Sequence, residues 1–230
     1  MNDFRVRSST AKTTLPPRAR GRYPLPVADG SPFEAYLQRI SSRLDPAGAD
    51  AVPAEEDGVT HAAVLLLLRA PVGEGDGMAE ILFIKRAERD GDPWSGHLAF
   101  PGGRADRGDA TLLGIATREA AEEVGIDVRE GGRIIGRLPT FHPMSARIPT
   151  VTVTPFVAAA PRGAVARVQP EEVQEAFWVS MSTLRSSGRS ASVTWETRDG
   201  LRQFPAFPSS RGPIWGITER ILSQFLEIGG

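Results

Sequence analysis

The sequence predicts an α+β protein, an α/β/α sandwich built around a mixed β-sheet. Buried-strand patterns recur through residues 60–103 and 133–160, with one strong helical stretch between them at 110–124. Strand patterns return at 171–207, and a second helical stretch closes the chain at 214–228. That order of elements, without internal repeats, is what predicts the layered arrangement.

Taken in order, residues 33–44 ("FEAYLQRISSRL") set Phe33, Leu37, Ile40 and Leu44 at helical spacing, which predicts a short amphipathic helix packed on the main domain. Residues 45–58 read as a linker by their Pro, Gly and acidic content. Residues 60–70 ("THAAVLLLLRA") and 79–87 ("AEILFIKRA") are strands joined by a turn at 73–77. Residues 97–103 ("HLAFPGG") form a short strand that runs into paired glycines. After the helix at 110–124, strands are predicted at 133–141 and 149–160. A loop, strand and helical corner follow at 171–184, and a hairpin with Asp199-Gly200 at its tip spans 193–207. The closing helix begins at 214, with Thr218 near its start.

The first 32 residues stand apart as an N-terminal arm, expected to be flexible. Arg5, Arg7, Lys12, Arg18, Arg20 and Arg22 make it basic, and Pro16-Pro17 interrupts it. No apolar stretch follows, so a secretory signal is not expected; an organelle transit peptide shares this composition. Residues 33–58 are read as helix and linker, and 59–230 as the main domain. A formal net charge of −1 gives no general attraction to nucleic acid or anionic membranes. The longest apolar run, 62–68, is too short to cross a bilayer. The absence of cysteine excludes disulfides, thiolate metal sites and a cysteine nucleophile, and suits a cytoplasmic location. Three histidines make a multi-histidine metal cage improbable.

The chemistry concentrates in residues 100–127 ("FPGGRADRGDATLLGIATREAAEEVGID"). On the predicted helix Glu119, Glu122 and Glu123 share an arc of about 100°. Leu113, Thr117, Ala120 and Val124 gather on another face suited to packing on a sheet. Asp109 is placed to cap the start of the helix and Gly125 to end it in a left-handed turn. Carboxylates so crowded repel unless a cation neutralises them. Hard oxygen ligands suit Mg²⁺ or Mn²⁺. A merely solvated acidic face fits poorly, because acids at a C-terminal helix end oppose the dipole.

Gly102-Gly103 followed by Arg118-Glu119-Ala120-Ala121-Glu122-Glu123-Val124-Gly125-Ile126 resembles the signature box of the Nudix hydrolases. The spaced acid is Asp109 rather than Glu, and the interval from Gly103 to Arg118 is one residue longer than usual. Both departures are similar to the coenzyme A pyrophosphatase branch, as are "FPGGRADRGD", "VTPFVA" (153–158), "PEEVQEAFWVSMSTL" (170–184) and "IWGITERIL" (214–222). The resemblance covers residues 60–226 and implies a Nudix fold. It further implies divalent-metal-dependent hydrolysis of a pyrophosphate linkage in a nucleotide derivative. Coenzyme A or an acyl-coenzyme A is the lead substrate, cleaved to 3′,5′-ADP and (acyl-)4′-phosphopantetheine. A nucleotide sugar, dinucleoside polyphosphate or nucleoside triphosphate is the alternative. The complete box speaks against a non-catalytic ligand sensor.

By the same resemblance Glu119, Glu122 and Glu123 are metal ligands, the Gly102 carbonyl is a further one, and Arg118 orients the glutamates. Glu172 matches the acid before valine and is the candidate general base; the alternative is that it or its neighbour Glu171 caps the following turn. Arg86 either reaches a phosphate oxygen or makes an ion pair. Trp94 either stacks on a base or packs. Arg104, the basic residue after the glycines, is the third candidate substrate contact. His97 fits a structural role, and His142 carries no signal. "DPWSGH" (92–97) departs from the branch's upstream motif, which leaves the substrate open. The family includes homodimers, and this sequence does not choose.

Overall fold

The computed structural model describes residues 30–48, 50–53, 59–72, 78–92, 94–142, 150–197 and 200–229. The basic arm before Gly30, the 73–77 turn and Asp199 lie outside the described residues. The central strand, β1 (Val59–Arg69), runs parallel to β6 (Thr150–Ala159) along its length. On its other edge β1 is shared. Ala62, Ala63 and Val64 pair with β4 (Gly102–Arg104), whereas Leu68 and Arg69 pair with β2 (Glu80–Arg86). β2 also carries β3 (Leu98–Ala99) and β7 (Val173–Ser180); β5 (Arg133–Arg137) closes the far side against β6. All these pairings except β1–β6 are antiparallel, so the sheet is mixed.

The alternation of side chains along β1 sorts two cores. Ala63, Leu65 and Leu67 join Leu82, Ile84, Phe156 and Ala158 beneath helix α2 (Leu112–Val124). Leu66 and Leu68 join Ile81, Phe83 and Val157 on the opposite face. There they meet α1 (Pro32–Ser41), α3 (Met181–Ser187) and α4 (Gly216–Ile228) through Leu37, Ile40, Leu184, Ile221, Leu222 and Phe225. This is the expected sandwich of helices on both faces of a mixed sheet.

Helix α1 is an integral part of that core. Ser31 caps it by accepting from the Glu34 amide, and Pro32 suits its first turn. Tyr36, which the spacing of the four apolar residues omits, is fully buried and donates its hydroxyl hydrogen to Met181 Sδ at 3.1 Å. Burial pushes the Tyr36 phenol up to about 12. Glu34 and Arg133 pair at 2.7 Å and fasten the helix to β5.

Three local expectations change. The 97–103 strand is two strands on different partners. Pro101 sits between them without an amide for a ladder, and its carbonyl accepts from Leu65 N at 2.8 Å. Helix α2 is capped by Thr111, whose side chain accepts from Gly114 N, and not by Asp109. Asp109 is instead engaged by Arg118. The closing segment opens as a strand: β10 (Ile214–Trp215) pairs with Phe207 and Ala206 before Gly216, at φ +69°, turns the chain into α4. Thr218 lies in the first turn of α4, as expected, and is buried. β10 belongs to a second small sheet with β9 (Gly200–Phe207) and β8 (Ala191–Thr197).

Leu37→Ala should lower stability by about 2–5 kcal/mol in urea denaturation, the range for truncating a fully buried leucine. A loss below about 0.5 kcal/mol, the surface-substitution range, would mean that α1 is only draped on the domain.

Candidate active site

Helix α2 presents its carboxylates in two directions. Glu119 and Glu123 lie toward the sheet, and Glu122 lies toward solvent. The Glu123 side chain is almost wholly buried, and its Oε2 accepts from Gly102 N at 2.9 Å. Both glycines of the pair are required by close approach. A Cβ on Gly102 would lie 2.4 Å from the Ala63 carbonyl oxygen, inside the β1 backbone. A Cβ on Gly103 would lie 2.2 Å from Glu119 Oε1. The glycine pair therefore brings β4 against β1 and leaves room for the Glu119 carboxylate.

The third acid arrives from a distant loop. The last turn of α2 leaves carbonyls without helical partners. Arg167 N donates to Val124 O at 2.8 Å and Gln169 N to Glu123 O at 3.0 Å. Those bonds hold the 167–172 segment along the end of the helix, next to the Gly125 left-handed cap at φ 66°. The Glu172 carbonyl then accepts from Ala87 N at 2.9 Å at the end of β2. As a result Glu119, Glu123 and Glu172 each bring one oxygen within 4.8 Å of the others. Glu171 is held by its main-chain carbonyl, which accepts from the Arg89 guanidinium, and it is not among the clustered acids.

Arg118 distributes its fork among the remaining acids. It donates to Asp109 through Nε at 3.2 Å and Nη2 at 2.9 Å, to Glu122 at 2.8 Å, and pairs with Glu119 at 3.0 Å. Asp109 is held below the usual carboxylate range chiefly by that guanidinium. The same bond to Asp109 is the main influence that raises Arg118 above its ordinary value. Glu122 is thus set apart from the cluster in this arrangement, more than half exposed and bonded to Arg118.

Burial raises Glu119, an effect that Arg118 opposes and the Glu122 and Glu172 carboxylates reinforce. Burial likewise pushes Glu123 up to about 8, against the Gly102 amide and with the Glu119 carboxylate. Three converging carboxylates, one of them buried with a single backbone donor, form a hard-oxygen donor set that fits a divalent cation. The same crowding costs free energy without one.

The predicted substrate contacts border this cluster. Arg86 pairs with Asp92 at 2.9 Å, while its Nε is buried without a partner among the described residues. Arg104, immediately after Gly103, stacks its guanidinium 5.6 Å from the Trp94 ring centroid. No carboxylate pairs with Arg104 among the described residues. His97 lies three residues beyond Trp94, with its amide donating to the Trp94 carbonyl at 3.1 Å. Burial lowers its imidazole pKa, so the neutral ring predominates at pH 7. His142 is exposed and takes no part in the cluster.

A family model for the NUDIX domain matches residues 59–200, more than half of the chain. The chain belongs to the Nudix hydrolase family. This Nudix hydrolase is 37% identical over 107 residues to an uncharacterized protein of Schizosaccharomyces pombe; the match covers 45% of this chain and 32% of that protein. It therefore spans about a third of that relative's length. It is 28% identical over 172 residues to the Nudix hydrolase NudL of Photorhabdus laumondii, covering 74% of this chain and 86% of that one. Among solved structures, a MutT/nudix family protein from Enterococcus faecalis matches with a TM-score of 0.49 and 18% identity, over 74% of this chain and 61% of that one. Among the described residues no helix is long and apolar enough to cross a membrane.

Local sequence could not have found Arg89, Gln169 and Arg167, because their work is done by, or on, main-chain atoms. The glycine pair generates a direct test. In Gly103→Ala the new methyl displaces a flexible carboxylate rather than backbone, so melting temperature should change little. Mn²⁺ affinity measured by calorimetry should fall about 10- to 100-fold, as when a ligand's positioning is lost. The raised carboxyl at Glu123 generates another. The folded chain holds that proton more tightly than the unfolded chain, whose value is near 4.5. The contribution of Glu123 to the stability of the metal-free protein is therefore fullest below about pH 4.5 and is lost as pH rises through about 8. Thermal melts across that window should slope downward, and Glu123→Gln should flatten the slope.

Proposed function

We propose that this Nudix hydrolase cleaves the phosphoanhydride of a nucleoside diphosphate derivative with Mg²⁺ or Mn²⁺, and that its substrate is coenzyme A or an acyl-coenzyme A. The observation that carries the chemistry is the convergence of Glu119, Glu123 and Glu172 beside the Gly102-Gly103 turn. Glu119 and Glu123, with the Gly102 carbonyl, are the assigned cation ligands, and Glu172 stands beside them as the assigned base. Glu122 serves through Arg118, keeping that guanidinium against Glu119. A bound divalent cation supplies Lewis acidity toward a phosphoryl oxygen and lowers the pKa of water.

The chain's own groups do the rest. Arg104 offers a guanidinium that lies over the Trp94 ring and pairs with no carboxylate among the described residues, suited to a phosphate oxygen. Arg86 lies close enough to Glu123 to temper its charge, and holds a second cationic group at the rim. Glu172 is exposed, unlike Glu123, and is the group assigned to accept the proton of the attacking water. Water adds to one phosphorus, the bridging oxygen leaves with the other phosphate, and two phosphomonoesters result. Coenzyme A as substrate is supported by the "FPGGRADRGD" run and the Pro170 to Val173 segment, which carries Glu172.

Incubation with Mn²⁺ and acetyl-coenzyme A, followed by mass spectrometry, should show 3′,5′-ADP and acetyl-4′-phosphopantetheine with the thioester intact. Free coenzyme A with acetate would overturn the phosphoanhydride reading. Turnover of ADP-ribose, dinucleoside polyphosphates or nucleoside triphosphates, but not of any coenzyme A species, would replace the substrate. Glu119→Gln, Glu123→Gln and Glu172→Gln should each lower kcat/KM more than about 100-fold, beyond the usual effect of a supporting residue. Glu122→Gln should cost less.

A further inference from the structure

A second aromatic group lies at the far end of the 92–97 turn. The His97 ring stands 4.8 Å from Trp215 and 5.7 Å, edge-on, from Trp195. The two indoles are 5.1 Å apart, and Phe204 lies 5.9 Å from Trp215. These rings come from the turn before β3 and from all three strands of the small sheet. The register places Trp195 and Phe204 on one face of the β8–β9 hairpin, since each is opposed across the ladder by a residue of that same face. None of them belongs to the two cores that flank the main sheet. Trp195 leaves 43% of its surface in solvent.

The position of this group relative to the carboxylates is informative. The His97 carbonyl accepts from Arg86 N at 3.0 Å, and Arg86 acts electrostatically on both His97 and Glu123. The same turn carries Trp94 with Arg104 at one end and His97 with the two tryptophans at the other. These links run from the acids through the Arg86 cation to a set of π-faces. A nucleotide has that order: phosphate, then a flat base. A neutral imidazole beside two indoles makes an uncharged stacking surface, and stacking accepts any base because every base has a π-face.

We propose that His97, Trp195 and Trp215 form the subsite that receives the base of the substrate, with the exposed face of Trp195 as its stacking platform. This inference rests on the pyrophosphatase reading and adds the determinant of nucleoside recognition to it. Trp195 touches the substrate, whereas Trp215 and His97 position it.

The test compares Trp195→Ala and Trp195→Phe with the full-length wild-type protein, on acetyl-coenzyme A and on a base-free dialkyl pyrophosphate, with Mn²⁺. In Trp195→Ala, KM for the base-containing substrate should rise about 5- to 100-fold, the range for one base–aromatic stack. kcat, and all constants for the base-free compound, should stay within about twofold. Trp195→Phe should recover most of the loss. Calorimetry gives a readout apart from turnover: AMP should bind the wild-type protein more tightly than ribose 5-phosphate, and Trp195→Ala should erase that preference. Equal losses on both substrates, or an unchanged AMP preference, would reduce the cluster to a packing joint and overturn the inference. Absence of hydrolysis of either substrate by the wild-type protein, with AMP preference retained and sensitive to Trp195, would overturn the catalytic reading and leave the subsite standing.

Discussion

A single buried carboxylate sets the terms for the whole site. Glu123 sits in the interface between α2 and the sheet, where an isolated charge is expensive. Among the described residues its direct donor is the Gly102 amide, which lies at that point because β4 can approach β1 without a Cβ between them. The helix that carries Glu123 also supplies, at its open end, the carbonyls that capture the 167–172 segment. A helix terminus that must satisfy its own backbone thereby delivers Glu172 to Glu119 and Glu123. The acids converge because the backbone accounts around them close, and the cost of their convergence is what a divalent cation offsets.

Arg118 handles the charge that the cluster leaves over. One guanidinium serves Asp109, Glu119 and Glu122, and its planar fork suits several carboxylates at once. This keeps Asp109 ionised and fixes the start of the loop against the helix. It also divides the three box glutamates into an inner pair and an outer member. A lysine at this position would offer a point charge without that geometry.

The fold joins this chemistry to a separate surface. The large sheet is built for rigidity: β1 is flanked along its full length, and both faces are covered by helices. The small β8–β9–β10 sheet meets it through the turn at 92–97, where the rings of His97 and Trp215 approach to 4.8 Å. The joint leaves Trp195 partly exposed, and the same 92–97 turn carries Trp94 against Arg104. Catalytic groups on a rigid frame, with recognition groups on an appended hairpin, let chemistry and specificity vary separately.

The amino-acid sequence alone determined the features that depend on neighbours three or four residues apart. Helix α2, its Gly125 cap, the apolar alternation of β1 and the acidic box were legible because periodicity and capping are local. Even there, the expected Asp109 cap gave way to Thr111, while Asp109 is engaged by Arg118. The split of 97–103 into β3 and β4 was decided by competition for the edges of β1 and β2, which no local window contains. Glu172 rather than Glu171 faces the cluster because Ala87, Gln169 and Arg89 hold the loop by its main chain, a pattern without a side-chain signature. The separation of Glu122 from Glu119 and Glu123 followed from burial, since a wheel orders side chains around one axis but does not say where the sheet lies. The meeting of His97 with Trp195 and Trp215 required two sheets to be docked, and only the tertiary structure brings together rings so distant along the chain.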